Sequence, residues 1–400
     1  MNYMFDKIKE AEKRLNNVIK KTDMFFSSTF SKISNNNIYL KTENLQKTGS
    51  FKIRGAYNKI SQIEEKPRHV VASSAGNHAQ GVALAASNAG IKSTIVMPVA
   101  APLAKVTATK NYGAEVILFG QTYDETYNKA LEIQEYLDAV FVHPFNDDNI
   151  IAGQGTIGLE ILEKLPSTDV ILVPIGGGGL ISGIAIAAKE LKPKLKIIGV
   201  EAENAASMKI SLQKGTLISL KESNTIADGI SVKTPGNLTY DICKNYIDDI
   251  ITVNDEEIAK AILMLLERAK MVVEGAGATT VAALICNKLN IENKNIVSVI
   301  SGGNIDFNII SRIIERGLVK IGRKITIKTT IKDKPGSLSK LLSIIASYDA
   351  NIISINHNHY QSGISIDDAE VELEIETRNK NHSEKVIKKL KKIGYNVYKY

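Results

Sequence analysis

Short apolar runs alternate with helix-like patterns through most of this chain, and this alternation restricts the possible fold more than any other feature. The runs occupy residues 38–41, 69–73, 93–97, 115–118, 139–142, 169–173, 196–201, 250–253 and 296–300. Strands that alternate with helices predict an α/β fold with parallel sheets. Such sheets bind ligands outside the carboxyl ends of their strands, so a site is expected in the loops that follow these runs.

Three of those loops are rich in glycine and serine: residues 73–81 (SSAGNHAQG), 174–183 (PIGGGGLISG) and 301–304 (SGGN). A strand, a loop of small residues and a helix, in that order, form an anion cradle from backbone N–H groups. The four consecutive glycines of the second loop allow the backbone to close on a phosphate group. Because each loop follows a strand, we expect the three to converge on one site.

A fourth stretch, residues 46–55 (QKTGSFKIRG), places Lys52 where a turn passes into a helix. Thr48, Gly49 and Ser50 predict that turn, with a serine-type cap on the helix. The positive end of a helix dipole favours the neutral form of an amine in the first turn, and a neutral amine is what a Schiff-base lysine requires. A single lysine of this kind is more often an exposed surface residue, so the interpretation depends on the three loops.

Together these stretches resemble, in order and spacing, the fold-type-II pyridoxal-phosphate enzymes, and among them the threonine dehydratases, over residues 20–320. The resemblance implies two open α/β domains of the tryptophan synthase β type and pyridoxal 5′-phosphate as cofactor. It implies that Lys52 carries the cofactor, Phe51 lies against its ring, Asn77 binds its 3′-oxygen, Gly176, Gly177, Gly178, Gly179 and Leu180 cradle its phosphate, Ser301 faces its ring nitrogen, and Ser74, Ala75 and Gly76 hold the substrate carboxylate.

The implied reaction is the deamination of L-threonine to 2-oxobutanoate and ammonia, with lesser action on L-serine. A serine racemase of the same fold is the alternative. The racemases that resemble this chain have a serine at the position of Ala75, and a methyl group cannot carry a proton. A pseudo-enzyme that only senses a ligand is disfavoured by Lys52, the glycine loop and Ser301. The role stays open between isoleucine biosynthesis and degradation, since residues 274–278 (EGAGA) look more like degradative members.

The pattern changes near residue 323. Residues 324–400 predict the order strand, helix, strand, strand, helix, strand, and with Asp333 and Gly336 in the first turn they resemble an ACT domain, a small-molecule sensing module. The expected organisation is a catalytic domain at 1–320, with a small mobile subdomain at about 40–145, and a regulatory domain at 324–400. A ferredoxin-like accessory domain without a ligand is the alternative.

ACT-like modules pair side by side, so the resemblance implies a homodimer or homotetramer with an amino-acid effector at the paired surface. The residues expected to bind the effector are Gly336, Ser337 and Leu338, facing Asn351 on the next strand. His357 and His359, two apart on a strand, could chelate a metal, but nothing nearby in the sequence supplies a further ligand. No metal site is therefore predicted.

Composition excludes several other classes. The net charge is +7, yet 50 basic residues face 43 acidic ones and are scattered along the chain, which indicates a solvated surface and no nucleic-acid partner. Two cysteines imply no disulfide framework. No apolar stretch reaches about 20 residues without a charge, so we expect no membrane partner. We expect a cytoplasmic location.

Overall fold

The computed structural model describes residues 3–63, 69–360, 363 and 365–399. The chain divides into two compact units, Met1–Ile305 and Asp306–Tyr400. Among the described residues, no helix is both long enough and apolar enough to cross a bilayer.

Ten strands are found in the described part of the first unit. They are β1 (Met24–Phe26), β2 (Asn37–Thr42), β3 (His69–Ser73), β4 (Lys92–Met97), β5 (Glu115–Leu118), β6 (Val140–Phe141), β7 (Val170–Pro174), β8 (Lys196–Ala202), β9 (Asp249–Val253) and β10 (Asn295–Ile300). One sheet has the order β1-β2-β10-β7-β8-β9 and the other β5-β4-β3-β6. All neighbours are parallel except β1, which pairs antiparallel with β2. The predicted parallel α/β fold is confirmed, and β1 is an addition that the sequence pattern did not indicate.

Helices cover the faces of these sheets. They are α1 (Tyr3–Leu15), α2 (Ser28–Ser34), α3 (Lys52–Ile60), α4 (Asn77–Asn88), α5 (Leu103–Asn111), α6 (Tyr123–Tyr136), α7 (Asp148–Lys164), α8 (Gly179–Leu191), α9 (Ser207–Lys214), α10 (Asn237–Tyr246), α11 (Asp255–Met264) and α12 (Gly275–Ile285), with a π-helical turn at Leu265–Ala269. Helix α12 is apolar on every side and buried along its whole length. Strand β7 is likewise buried at every residue, because a parallel sheet is covered on both faces.

The second unit has the predicted order of elements. These are a leading helix α13 (Phe307–Lys320), then β11 (Lys324–Lys332), α14 (Ser337–Ala346), β12 (Asn351–Asn358), β13 (Asp368–Glu376), α15 (Lys380–Ile393) and β14 (Tyr398–Lys399). The strands form an antiparallel sheet in the order β12-β13-β11-β14. Burial alternates along β11 and β13, so one face of the sheet contributes to a core that α14 and α15 complete. The βαββαβ order predicted for the tail is confirmed.

Candidate active site

A cavity of about 650 Å³ lies in the first unit, where loops after β3, β6, β7 and β10 meet the N-terminal ends of α3 and α12. The predicted convergence of the three loops is confirmed. The residues predicted to bind cofactor and substrate all line this cavity: Phe51, Lys52, Ser74, Ala75, Gly76, Asn77, Gly176, Gly177, Gly178, Gly179, Leu180 and Ser301. The individual roles assigned to them from the resemblance stay predictions.

Lys52 is the first residue of α3 and projects into the cavity. Its amine donates a hydrogen bond to the carbonyl of Pro144 at 2.9 Å and lies 5.3 Å from the centre of the Phe51 ring. Burial lowers the pKa of Lys52 to about 8, and the negative charge of Glu274 offsets only part of that effect. About a tenth of this amine is therefore unprotonated at pH 7, far more than for an ordinary lysine.

The predicted serine cap on α3 is wrong. The N-cap residue is Phe51, and no side chain caps the helix. The Ser50 hydroxyl is buried without a hydrogen-bond partner among the described residues. The turn is held by backbone instead, because Phe51 N–H donates to the carbonyl of Ser301 at 3.1 Å and Ser50 forms a bridge with Gly302. Burial, and not a cap, is the main cause of the low pKa of Lys52.

A buried ionic network fixes the rest of α3, and the sequence analysis missed it. Arg54 is fully buried and donates to both oxygens of Glu43 at 2.8 Å, and to Glu160 at 2.6 and 2.9 Å. Thr156 accepts a further bond at 3.0 Å, and Lys41 reaches Glu160 at 2.5 Å. Two charged residues at the end of an apolar strand, Lys41 and Glu43, are the sequence feature that could have indicated this network.

The glycine loop between β7 and α8 packs so closely against neighbouring residues that side chains would not fit at Gly176 and Gly177. A Cβ on Gly177 would collide with the Phe145 ring, and one on Gly176 would lie 2.9 Å from the Cα of Ile230. Gly178 has φ of 94°, in the left-handed region, and caps the 13-residue helix α8. Backbone N–H groups at such a helix start bind anions. The loop therefore fits the phosphate of pyridoxal phosphate, in the same cavity as the amine of Lys52.

Asn77 is held in place by a carboxylate that the sequence analysis noted only within a motif. Its side-chain amide donates to both oxygens of Glu274, at 2.7 and 3.0 Å, and its own oxygen accepts from the Asn304 amide at 2.8 Å. Burial raises the pKa of Glu274 to about 7, with a further rise from Asp228. Glu274 thus fixes the side chain of Asn77 and supplies negative charge close to Lys52.

The loop after β3 presents little acid or base to the cavity. Ser74 Oγ accepts a hydrogen bond from the N–H of Gly76 at 3.1 Å, and Ala75 offers only a methyl group. His78 binds the carbonyl of Val142 at 2.8 Å, and burial lowers its pKa to about 3. His78 is therefore neutral near pH 7 and holds the loop in place.

The predicted effector residues do not all meet within one chain. Gly336, Ser337 and Leu338 lie in the turn after β11 and at the start of α14, beyond the Lys332 end of that strand. Asn351 pairs with Glu376, at the Lys324 end of the sheet. A nine-residue strand separates the two ends by about 27 Å. The expectation that Asn351 faces Gly336 in the same chain is wrong.

The expectation that no residue joins His357 and His359 as a metal ligand is also wrong. Asp333 Oδ2 lies 2.8 Å from His359 Nδ1, and the three side chains form one cluster. The sequence did not reveal it because Asp333 belongs to the turn after β11, whose distance from β12 depends on the sheet order.

Comparisons with known proteins agree with this geometry. Residues 15–302 match the family model described as pyridoxal-phosphate dependent enzyme, and residues 323–397 match the ACT domain. An L-threonine ammonia-lyase of Thermotoga maritima is 55% identical over 392 residues, 98% of this chain and 98% of that protein.

Two solved structures resemble the first of these regions. Threonine deaminase isoform 2 of Solanum lycopersicum, in its processed form, superposes with a TM-score of 0.75 at 37% identity, over 78% of this chain and 87% of that one. Maize serine racemase superposes with a TM-score of 0.73, also at 37% identity, over 79% of this chain and 98% of that one.

Proposed function

The chain belongs to the pyridoxal-phosphate dependent enzymes, within their threonine ammonia-lyase branch and with an added ACT domain, and from this premise we propose that it deaminates L-threonine to 2-oxobutanoate and ammonia. The observation that carries the proposal is one cavity that holds both a lysine of lowered pKa and a side-chain-free anion cradle. L-Serine, one methyl group smaller, is the expected minor substrate, because a missing methyl group costs only about 1 to 3 kcal/mol of discrimination.

The proposed roles are those that the family resemblance implies for residues lining the cavity. Lys52 would attach the cofactor, Phe51 would lie against its ring, the loop 176–180 would bind its phosphate, Asn77 would bind its 3′-oxygen, and Ser301 would face its ring nitrogen. When bound, pyridoxal phosphate supplies an electron sink for the carbon that loses its proton. The amine of Lys52 is the proposed base for that proton, since its pKa of about 8 lies close to the working pH.

The substrate carboxylate is proposed to bind at the loop of Ser74, Ala75 and Gly76. This loop precedes α4, so its backbone N–H groups point toward an anion at a helix start.

Because His78 and His143 have pKa values lowered by burial, to about 3 and about 4, neither competes with Lys52 for the proton near pH 7. Lys52 is thus the proposed catalytic residue.

Serine racemase is the second candidate, since a racemase shares the fold. Two-sided proton transfer needs a second acid or base group, and the candidate positions offer little. Ala75 has no ionisable group, and the hydroxyl of Ser74 is engaged by the backbone of Gly76. These contacts favour elimination over racemisation.

The test is to incubate the protein with L-threonine and with L-serine and to measure 2-oxoacid, ammonia and D-amino acid together. We expect 2-oxobutanoate from threonine as the main product, and no D-serine above a small fraction of the pyruvate. Ala75→Ser is the informative variant, because it adds a hydroxyl at the expected position. If the unaltered protein forms D-serine faster than pyruvate, the proposed lyase function is wrong and the protein is a racemase.

We infer further that the second unit senses an amino acid and pairs with a second copy. Gly336 has φ of 88° and open space around its Cβ position, which leaves the start of α14 accessible. Ile353 and Ile355 are exposed on the edge strand β12, where two sheets can join. A homodimer or homotetramer and a cytoplasmic location stay predictions.

An amino-acid panel tests this regulation in the full-length enzyme. Gly336→Val should abolish the response to the effector, because a β-branched residue is strained at positive φ. Gly394→Val is the matched control, since Gly394 has φ of 106° and equally open surroundings in the same unit. If the response survives Gly336→Val, or if no amino acid gives a response, the sensing role is wrong and the unit serves only in assembly.

A further inference from the structure

The second unit contains a cluster of potential metal ligands that the proposed reaction does not use. Asp333 follows β11, His357 lies on β12 and His359 comes just after that strand. One ligand atom from each side chain lies within 4.8 Å of the other two. Two imidazoles and a carboxylate form a donor set that suits divalent transition metals.

His357 is the member that most needs a partner. On β12 it pairs with Val371 of β13, and directly opposed side chains share one face of a sheet. Val371 belongs to the buried core, so the imidazole lies on the face that the helices cover. Its Nε2 atom is buried and has no hydrogen-bond partner within the described part of the chain. A buried ring nitrogen without a hydrogen-bond partner is destabilising, so a ligand that binds it is favoured.

His359 and Asp333 bring two further ligand atoms to the same place. His359 follows the end of β12, and its ring lies 4.4 Å from the ring of His357, centre to centre. His359 Nδ1 is 2.8 Å from Asp333 Oδ2. Both side chains are about two-fifths exposed, at 42% and 44%, so they can adjust. Zinc bonds of about 2.0 to 2.2 Å place two ligand atoms at most about 4 Å apart, which requires only a small closure.

We propose that Asp333, His357 and His359 bind one divalent transition-metal ion of the zinc class. The ion joins the turn after β11 to strand β12. Three protein ligands leave a fourth position for water or an exogenous group. Gly336 lies three residues after Asp333, so the bound ion orders the turn in which the effector site is proposed. This inference depends on the geometry of the second unit alone and not on the reaction in the first.

The test is calorimetric titration of the full-length holoenzyme, freed of metal by a chelator, with zinc chloride alone and with magnesium chloride alone. We expect one zinc ion per chain and no magnesium binding. His357→Ala, His359→Ala and Asp333→Asn should each weaken zinc binding at least about tenfold.

His382→Gln and Asp349→Asn are the matched controls in the same unit, and they should bind zinc as the unaltered protein does. Both ring nitrogens of His382 are already engaged, by Arg378 N–H and the Tyr348 carbonyl. Zinc binding that is equal in all five variants would show an adventitious ion and overturn the proposal, as would no binding by the unaltered protein.

A second measurement uses only the unaltered protein and so does not depend on how the variants fold. Hydrogen exchange of the backbone amides at residues 333–338 should slow when zinc is added, because the ion fixes that turn. Unchanged exchange in that segment at saturating zinc would contradict the proposed ligands.

Discussion

Helix α3 presents two cations whose surroundings are opposite, a half-buried Lys52 and a fully buried Arg54. Arg54 is buried among carboxylates: burial lowers its pKa, but Glu43 and Glu160 outweigh that effect and the net shift is upward. Lys52 is half-buried beside a carbonyl and an aromatic ring, and the loss of solvent lowers its pKa to about 8. The negative charge of Glu274 offsets only part of that effect.

This difference means that Arg54 supports the helix, whereas Lys52 is available for chemistry. Arg54 donates hydrogen bonds to Glu43, Thr156 and Glu160, and these bonds hold α3 against α7 and the turn that follows β2. With α3 anchored in this way, the amine of Lys52 needs no ion pair of its own to stay in place, and it remains available as a nucleophile and a base.

Removing the amine should have the largest effect. Lys52→Ala is expected to lower kcat/KM for L-threonine by at least about a thousandfold, since a covalent catalytic group is lost. The fold should persist, which circular dichroism and thermal unfolding can verify. Lys59→Ala on the same helix is the control, because Lys59 pairs with Asp147 at 2.9 Å and does not line the cavity. Comparable activity of the two variants would remove Lys52 from the mechanism.

Removing the guanidinium should act on stability first. Arg54→Met leaves Glu43 and Glu160 buried without their main partner, and we expect a loss of about 3 to 5 kcal/mol in the free energy of unfolding. Urea denaturation measures it. Arg14→Met on α1, where the arginine is partly exposed, should cost less than about 1 kcal/mol.

Where Arg54→Met does not yield folded protein, Arg54→Lys provides the same measurement, because it keeps the charge and loses the paired hydrogen bonds. An Arg54 variant as stable as the Arg14 variant would mean that the network does not anchor α3.

The two cations should also differ in their pH dependence. In cofactor-free protein the pKa of Lys52 is about 8 folded and 10.5 unfolded, so the unfolded chain binds more protons between these values. Stability therefore rises with pH across this window. The stability advantage of Lys52→Met over the unaltered protein should shrink by about 2 kcal/mol from about pH 7 to about pH 9.5. Urea unfolding at both pH values measures this, and a constant difference would mean that Lys52 keeps an ordinary pKa.

A third cation at the cavity, Lys105, should have the smallest effect when it is substituted. Lys105 pairs with Asp228 at 2.6 Å, and the carboxylate is 57% exposed. Such pairs contribute about 0 to 1 kcal/mol. Lys105→Gln should change KM less than about fivefold, and added salt should erase the difference. A loss as large as that of Lys52→Ala would give Lys105 a chemical role.

The sequence predicted well whatever depends on local order. Strand periodicity located the sheets, and the glycine loop at 176–179 and Lys52 met in one cavity as expected. The sequence did not reveal the contacts between residues that are far apart in the chain. The ion pairs of Arg54 were missed because its partner Glu160 is 106 positions away. Asp333 was missed as a metal ligand because sheet order alone brings it to His359. The position of Asn351 was wrong for the same reason.

The pairing of β2 with β10 determines when this protein can become active during its synthesis. Asn37 and Asn295, neighbours in register, are 258 positions apart, so the six-stranded sheet closes only after β10 has left the ribosome. The four strands from β3 to β6 emerge together and can pair earlier. Lys52 reaches its place when Phe51 meets Ser301, near the end of the first unit. A nascent chain that stops before β10 carries the lysine but not its cavity, and catalysis begins only when translation of the unit is complete.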